Sequence, residues 1–362
     1  MNTIITEDII KECWNMLSIY TDLEYIKETI NKAYPKISKK KEQQVSEEIL
    51  FYLTQGKELF YASETSLNTA PLTLFYSINN LVKALYLLFM PNLSLSANHG
   101  LTIKNTDILS VSTVGDIPIH INSSGTFYNL NQIIKDDLFD GDVIYLKDIF
   151  SILPELRDLY LSVYNDEPNV ILMQGKEDNT AYYKALFVGK QIEKIKSKNY
   201  SLLERNGYHL YAENNYEGLY GEIGLTMNSY GKEKNVTYRD IYGNLYCTFG
   251  IPMREHQIMI SKLNAIYLCL YAYSMCVRYH PNLWLKFNNS KDRALISKTL
   301  EVSKTSMLLE ILQILNSTIY RFTTYIPNVP KDLDYKDILD NLVKELEGER
   351  KRFGSTRLSK LI

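Results

Sequence analysis

The chain has 362 residues, 45% apolar and 23% charged, and its Lys+Arg 40 against Asp+Glu 42 give a net charge of -2. That composition supports a buried core without help from metals or disulfides. It excludes a whole-protein field that would attract nucleic acid or an anionic membrane, so contact with either has to use a local patch.

The four cysteines, Cys13, Cys247, Cys269 and Cys276, form no CxxC pair and have no His at ligand spacing. Packed thiols are expected, with no zinc and no other cofactor. The opening MNTIITEDIIKEC carries acids where a secretory leader carries bases, and it lacks an apolar run. It predicts a helix capped by Thr6 with Glu7 and Asp8 in the first turn, and a cytoplasmic protein. In that helix Ile9, Ile10, Cys13, Trp14 and Leu17 share one face. Lys39, Lys40 and Lys41 are expected in a polar connector. A second helix near 43–64 follows, with Val45, Ile49, Tyr52, Leu53 and Phe60 at helical spacing.

Pro71 suits the first turn of a third helix, and Met90-Pro91 suits its end. Its most apolar window holds Asn79, Asn80 and Lys83, which a bilayer centre tolerates poorly, so a buried helix is expected. From 91 to 150, Gly100, Gly115, Gly125 and Gly141 punctuate short apolar pieces such as 117–121, predicting loops and short strands. A short helix is expected at 154–164. Strands are expected around 170–173, 185–188, 208–211 and 244–247.

Helical periodicity returns at 254–279, where Ile260, Leu263, Tyr267, Leu270, Ser274 and Val277 recur and no charge interrupts 263–277. A helix apolar on several faces belongs in the centre of a bundle. Arg278-Tyr279-His280-Pro281 reads as its stop. Further helices are expected on Leu308, Ile311, Leu312, Leu315 and Ile319, and on Ile338, Leu339, Leu342, Val343 and Leu346, before a basic tail at 349–360. The expected class is therefore α+β, mainly α-helical, a helical bundle formed by both chain ends with a β-rich insertion in the middle. The expected division is 1–95 helical, 96–252 loop and strand-rich, and 253–362 helical and packed on the first part.

No P-loop, GxGxxG, HExxH or GxSxG occurs, which counts against nucleotide hydrolases, dehydrogenases, zinc proteases and α/β-hydrolases. Three clusters remain. Arg278 and His280, followed by Trp284, lie at the end of the long apolar helix. A neutral imidazole can take a 2′-hydroxyl proton while a guanidinium neutralises phosphorane charge. The structural alternative is that both cap the helix and Trp284 packs beneath. His99 sits beside Gly100 just past the third helix, either a catalytic group on a turn or an ordinary loop residue. Arg254 and His256 open the predicted central helix as a charged first turn. Catalytic candidates are thus Arg278, His280 and His99, with Lys83, Arg254, His256 and Trp284 as binding candidates and no metal ligand.

The run from Ala70 to Leu85, then His99-Gly100-Leu101, resembles the N-terminal signature of the YaaC-like bacterial protein family. So do Trp14, Gly125-Thr126-Phe127 and Leu153-Pro154-Glu155-Leu156. Ser274 to Trp284 is similar to that family's C-terminal signature. The resemblance implies a cytosolic bacterial protein. A second similarity, in Phe75-Tyr76, Lys83-Ala84-Leu85 and a downstream His, is to HEPN helical domains. It implies a metal-independent endoribonuclease of toxin or phage-defence type, acting as a homodimer on RNA, beside a protein encoded nearby. The HEPN signature spaces Arg and His by four to six residues, whereas Arg278 and His280 are separated by one. The alternative is a non-enzymatic protein- or ligand-binding module, with Tyr208, Tyr211, Tyr216 and Tyr220 supplying contact area.

Overall fold

In the computed structural model, the structure describes residues 2–66, 68–175, 182–188, 208–216, 220–227, 237–253, 256–318 and 320–323. These residues belong to one unit, Met1–Thr323. The predicted helix at 338–346 and the basic tail lie outside the described residues.

The first strand, β1 (Asn2–Ile5), leads to α1 (Ile9–Leu17), which buries Cys13, Trp14 and Leu17. Its cap is Asp8, whose carboxylate accepts the Lys11 N–H at 2.9 Å, and not Thr6. Thr6 instead accepts the Asp8 N–H, holding the cap residue itself. A helix that sequence reading did not find, α2 (Leu23–Ala33), starts at Asp22, which caps the Tyr25 N–H. The next, α3 (Lys39–Ala62), begins at the Ser38 cap, so Lys39, Lys40 and Lys41 form its first turn and not a connector. A good side-chain cap outweighed the charge run that had read as linker.

The third predicted helix is α4 (Ala70–Phe89), with Pro71 in its first turn and Met90 as its end. Among the described residues it alone is long and apolar enough to cross a membrane, and 72% of its most apolar window is buried inside the protein. Its polar residues are paired there. Asn80 donates to Gln55 at 2.8 Å and the Ser77 hydroxyl donates to the Gly56 carbonyl at 2.7 Å, joining α4 to α3.

A three-stranded antiparallel sheet follows, from β2 (Leu101–Thr102), β3 (Pro118–Ile121) and β4 (Val143–Tyr145). Ile119, Ile121 and Ile144 are buried on one of its faces. Between and after its strands lie α5 (Asn105–Ile108), α6 (Thr126–Ile134), α7 (Leu146–Ile152) and α8 (Arg157–Tyr164). The expectation of loops and strands at 91–150 missed α5, α6 and α7. Each has nine residues or fewer, too short for a helical period to stand out.

The six-stranded antiparallel sheet contains β5 (Val170–Gly175), β6 (Tyr182–Val188), β7 (Tyr208–Tyr216), β8 (Tyr220–Met227), β9 (Thr237–Arg239) and β10 (Leu245–Thr248). Its order is β7-β8-β6-β5-β10-β9. The four predicted strands of this region lie in it, the last running 245–248 and not 244–247.

A hairpin of β11 (Ile251–Met253) and β12 (His256–Ile258) then delays the central helix, α9, which runs Lys262–Tyr279 rather than from 254. The three residues 256–258 extend to pair with 251–253, and Ser261 caps the helix by accepting the Asn264 N–H. Three further contacts anchor this end. Asp136 accepts the Ser261 N–H at 2.6 Å and the Asn264 amide at 2.7 Å, an anion at the positive end of the helix dipole. Burial pushes the Asp136 carboxyl up to about 6 against those hydrogen bonds. The Lys262 ammonium meets Glu155 at 2.5 Å with both side chains almost fully enclosed. The Tyr238 hydroxyl donates to the Ile260 carbonyl.

The central helix ends at Tyr279, with His280 as its cap, where the stop signals were read. Proline opens α10 (Pro281–Asn288), and α11 (Asp292–Asn316) follows, longer than predicted, before β13 (Tyr320–Thr323) pairs in parallel with β1. Ile319 lies outside the described residues. The helices of the two chain regions share one core: Phe75 of α4 packs edge-on against Tyr267 of α9, and Tyr20 bonds Asn316 at 3.1 Å. The Tyr267 hydroxyl donates to Asn79 Oδ1 at 2.8 Å inside that core.

Leu270 is fully enclosed near the middle of α9. Leu270→Ala is expected to lower unfolding free energy by about 2–5 kcal/mol. Leu270→Asp is expected to abolish soluble folding, because an unpaired buried carboxylate costs more. Denaturant titration and soluble yield check both, and near-wild-type values would show α9 to be peripheral.

Candidate functional site

On α4 only Leu72, Thr73, Tyr76, Lys83 and Phe89 keep appreciable exposure, and Tyr76 and Lys83 are two helical turns apart on one stripe. On α9 the exposed residues Arg278 and Tyr279 close the helix. The packing of the two helices brings these surfaces together. The Arg278 guanidinium donates to the Tyr76 hydroxyl at 2.9 Å and also lies over the Tyr279 ring, 4.9 Å from its centroid.

His99 completes the cluster. Its ring stands edge-on to Phe75 at 5.0 Å and to Tyr76 at 6.2 Å, and it faces Tyr271 at 6.2 Å. The loop that carries it is held by backbone. The His99 carbonyl accepts the Phe127 N–H, the Asn98 carbonyl accepts the Thr126 N–H, and the Gly100 carbonyl accepts the Asn122 N–H. The Tyr271 hydroxyl donates to the Leu101 carbonyl at 2.9 Å, fastening α9 to the same loop.

Electrostatically the cluster favours a neutral imidazole. Burial, then the charges of Lys83 and Arg278, hold His99 below the ordinary 6.5. Burial also lowers Lys83, whose ammonium lies 5.2 Å over the Tyr52 ring. The arrangement therefore offers a neutral base beside two cations and a phenol. It can hold an anion and accept a proton from a hydroxyl next to it.

Of the sequence candidates, Arg278 and His99 both border Tyr76, and Lys83, seated on the Tyr52 ring, acts on His99 through its charge. His280 does not join them through any contact with a described residue. It leaves helical geometry (φ -134°, ψ 56°) and ends α9, its N–H donating to Cys276 and its carbonyl accepting from Trp284. Trp284 is a core residue rather than a surface contact, 4% exposed and packed on Tyr273 at 5.8 Å. His256 lies in β12 opposite Met253, not in a helical first turn, and Arg254 lies outside the described residues. Sequence reading did not assign Tyr76, Tyr271 or Tyr279 to a site. The seven-residue spacing of Tyr76 and Lys83 was the available signal for the first. Among the described residues no three His, Cys, Asp or Glu gather closely enough to hold a metal ion.

A family model described as YaaC-like Protein matches residues 15–315. No curated protein and no solved structure matches the chain.

The segments that meet at His99 depend on one close approach. Gly125 has φ +125°, and a Cβ there would fall 2.1 Å from the Gly100 nitrogen. Gly141 also has positive φ (+85°), but a Cβ there meets nothing within 4 Å. Gly141→Ala is expected to cost about 1 kcal/mol of backbone strain. Gly125→Ala is expected to cost several times more and to displace His99. Melting temperatures and the His99 ring signals in NMR check this. Equal losses in the two variants would show that the 100–125 contact does not organise the site.

Proposed function

The chain belongs to the YaaC-like protein family, and we propose that it binds RNA phosphodiesters at the Arg278–Tyr76–His99–Lys83 surface and cleaves them without a metal. The observation that carries this reading is a guanidinium fixed on a phenol beside an imidazole that its surroundings keep neutral. In this mechanism His99 takes the proton of a 2′-hydroxyl and the alkoxide attacks the adjacent phosphorus. Arg278 and Lys83 neutralise the charge that grows on the phosphorane oxygens. The 5′-oxygen leaves with a proton from water, giving a 2′,3′-cyclic phosphate and a 5′-hydroxyl. Tyr279, 52% exposed, offers a face on which an unpaired base can stack.

On this reading the protein is a cytoplasmic effector of the toxin or phage-defence type, with a homodimer and a neighbouring gene product as its protein partners. A second reading, a non-enzymatic RNA- or ligand-binding module, draws on a separate observation. Among the described residues no hydrogen bond or ring contact joins His280 to His99, which leaves the candidate base without a described imidazole partner as general acid.

Cleavage of pooled cellular RNA, with and without extract from phage-infected cells, separates the readings. His99→Ala and Arg278→Ala are each expected to lower the rate by about 10²-fold or more. Arg278→Ala, at an exposed position, should leave the melting temperature nearly unchanged. His280→Ala should keep activity. RNA binding that Arg278→Ala abolishes, without cleavage under any condition, would leave the binding module. Absence of both cleavage and RNA binding would sink the nuclease reading and the RNA-binding form of the second.

A further inference from the structure

A second surface, remote in sequence from most of that cluster, has the chemistry of a ligand site. The outer face of the β2-β3-β4 sheet alternates with its buried isoleucine face, and so presents Pro118, His120, Val143 and Tyr145 together. With the α5 segment these residues line a groove of about 510 Å³, within the roughly 300–1,000 Å³ of small-molecule sites.

Hydrogen bonding has already organised part of this lining. The His120 Nε2 lies 3.0 Å from Asp107 Oδ2, and the Thr106 hydroxyl donates to Asp107 Oδ1. The hydrogen bond to His120 holds the Asp107 carboxyl below its usual range, so it is an acceptor at neutral pH. Asp116 uses one oxygen, Oδ2, for both the backbone and the hydroxyl of Thr113. Its Oδ1 and the Ser112 hydroxyl have no hydrogen-bond partner among the described residues. The Ser110 hydroxyl donates to the Asp107 carbonyl at 2.8 Å and keeps its lone pairs for an incoming donor. At the rim the Tyr145 ring is 48% exposed.

No Lys or Arg lines the groove. A phosphate or carboxylate would face the two carboxylates of the lining, with the nearest ammoniums at its edge, Lys286 on the Val111 carbonyl at 3.5 Å and Lys104 acting on Asp107, so anionic ligands are disfavoured. The donors to Asp107 and Asp116 fix the carboxylates without removing their charge, so choline is the probe for a cationic ligand. What remains is a set of spare acceptors, one free hydroxyl and an open aromatic face. A neutral polyol satisfies all three at once: its hydroxyls donate to Asp116 Oδ1 and Ser110, accept from Ser112, and its C–H face covers the ring.

The geometry points to this groove as a binding site for a neutral sugar, a pentose or hexose ring, independent of the RNA reading of the other face. Saturation-transfer NMR on the full chain tests it, with D-ribose, D-glucose, choline and inorganic phosphate as probes at millimolar concentration. Saturable binding of at least one of the two sugars is expected, with choline and phosphate giving no signal that depends on the groove. Asp116→Asn and Tyr145→Ala, both at exposed positions, should each weaken that binding about tenfold, the first by losing a hydrogen bond to a charged group and the second by losing the ring that the sugar covers. Unchanged melting temperatures would confirm that both variants fold. Arg278→Ala should leave sugar binding intact. Failure of both sugars to bind would overturn the proposal. So would sugar binding that neither groove variant weakens, or groove-dependent binding of choline or phosphate that exceeds that of the sugars.

Discussion

The contact between α4 and α9 is the constraint on which the rest depends. Both helices are apolar on several faces, and apolar contact alone is non-directional, so it would tolerate several registers. Directional bonds inside the contact select one. Tyr267 donates to Asn79, and Tyr271 donates to the Leu101 carbonyl just beyond α4. A slip of either helix would leave these groups buried without partners, at roughly 1–3 kcal/mol each. Register in the core then determines what meets at its edge: the last turn of α9 delivers Arg278 to Tyr76, residues about two hundred positions apart in the chain.

The second support is backbone rather than side chain. The loop carrying His99 is laid against the start of α6, where Gly125 approaches Gly100 too closely to carry a Cβ. Phe127 continues that contact inward and reaches Tyr267, whose other neighbour is Phe75, whose neighbour in turn is His99. An unbroken set of packed rings thus runs from α6 through α9 and α4 to the candidate base. The same segments, 70–85, 99–101, 125–127 and 274–284, carry the sequence resemblance to the family.

Elements with strong local signals were legible in the sequence. Pro71 and Met90-Pro91 bounded α4, the uncharged run 263–277 marked α9, and alternating residues marked β7. Short elements were not legible, because α6 and α7 are decided by what covers them rather than by their own periodicity. The start of α9 was misplaced because pairing across the β11–β12 hairpin took residues whose pattern also fits a helix. At the site, Arg278 and His99 were visible as residue types, but their neighbours were not. Grouping Arg278 with His280 by proximity in sequence missed the turn at His280, where the backbone leaves the helix and separates the two side chains' settings.

The most direct measurement is the NMR titration of the His99 ring in the wild type and in Arg278→Ala. A cation beside an imidazole opposes a second positive charge, so removing it stabilises the protonated form. The wild-type midpoint should lie below 6.5 and the variant's should move up toward it. A wild-type midpoint at or above 6.5, or identical midpoints in the two proteins, would contradict the claim that helix packing joins Arg278 and His99 in one electrostatic site.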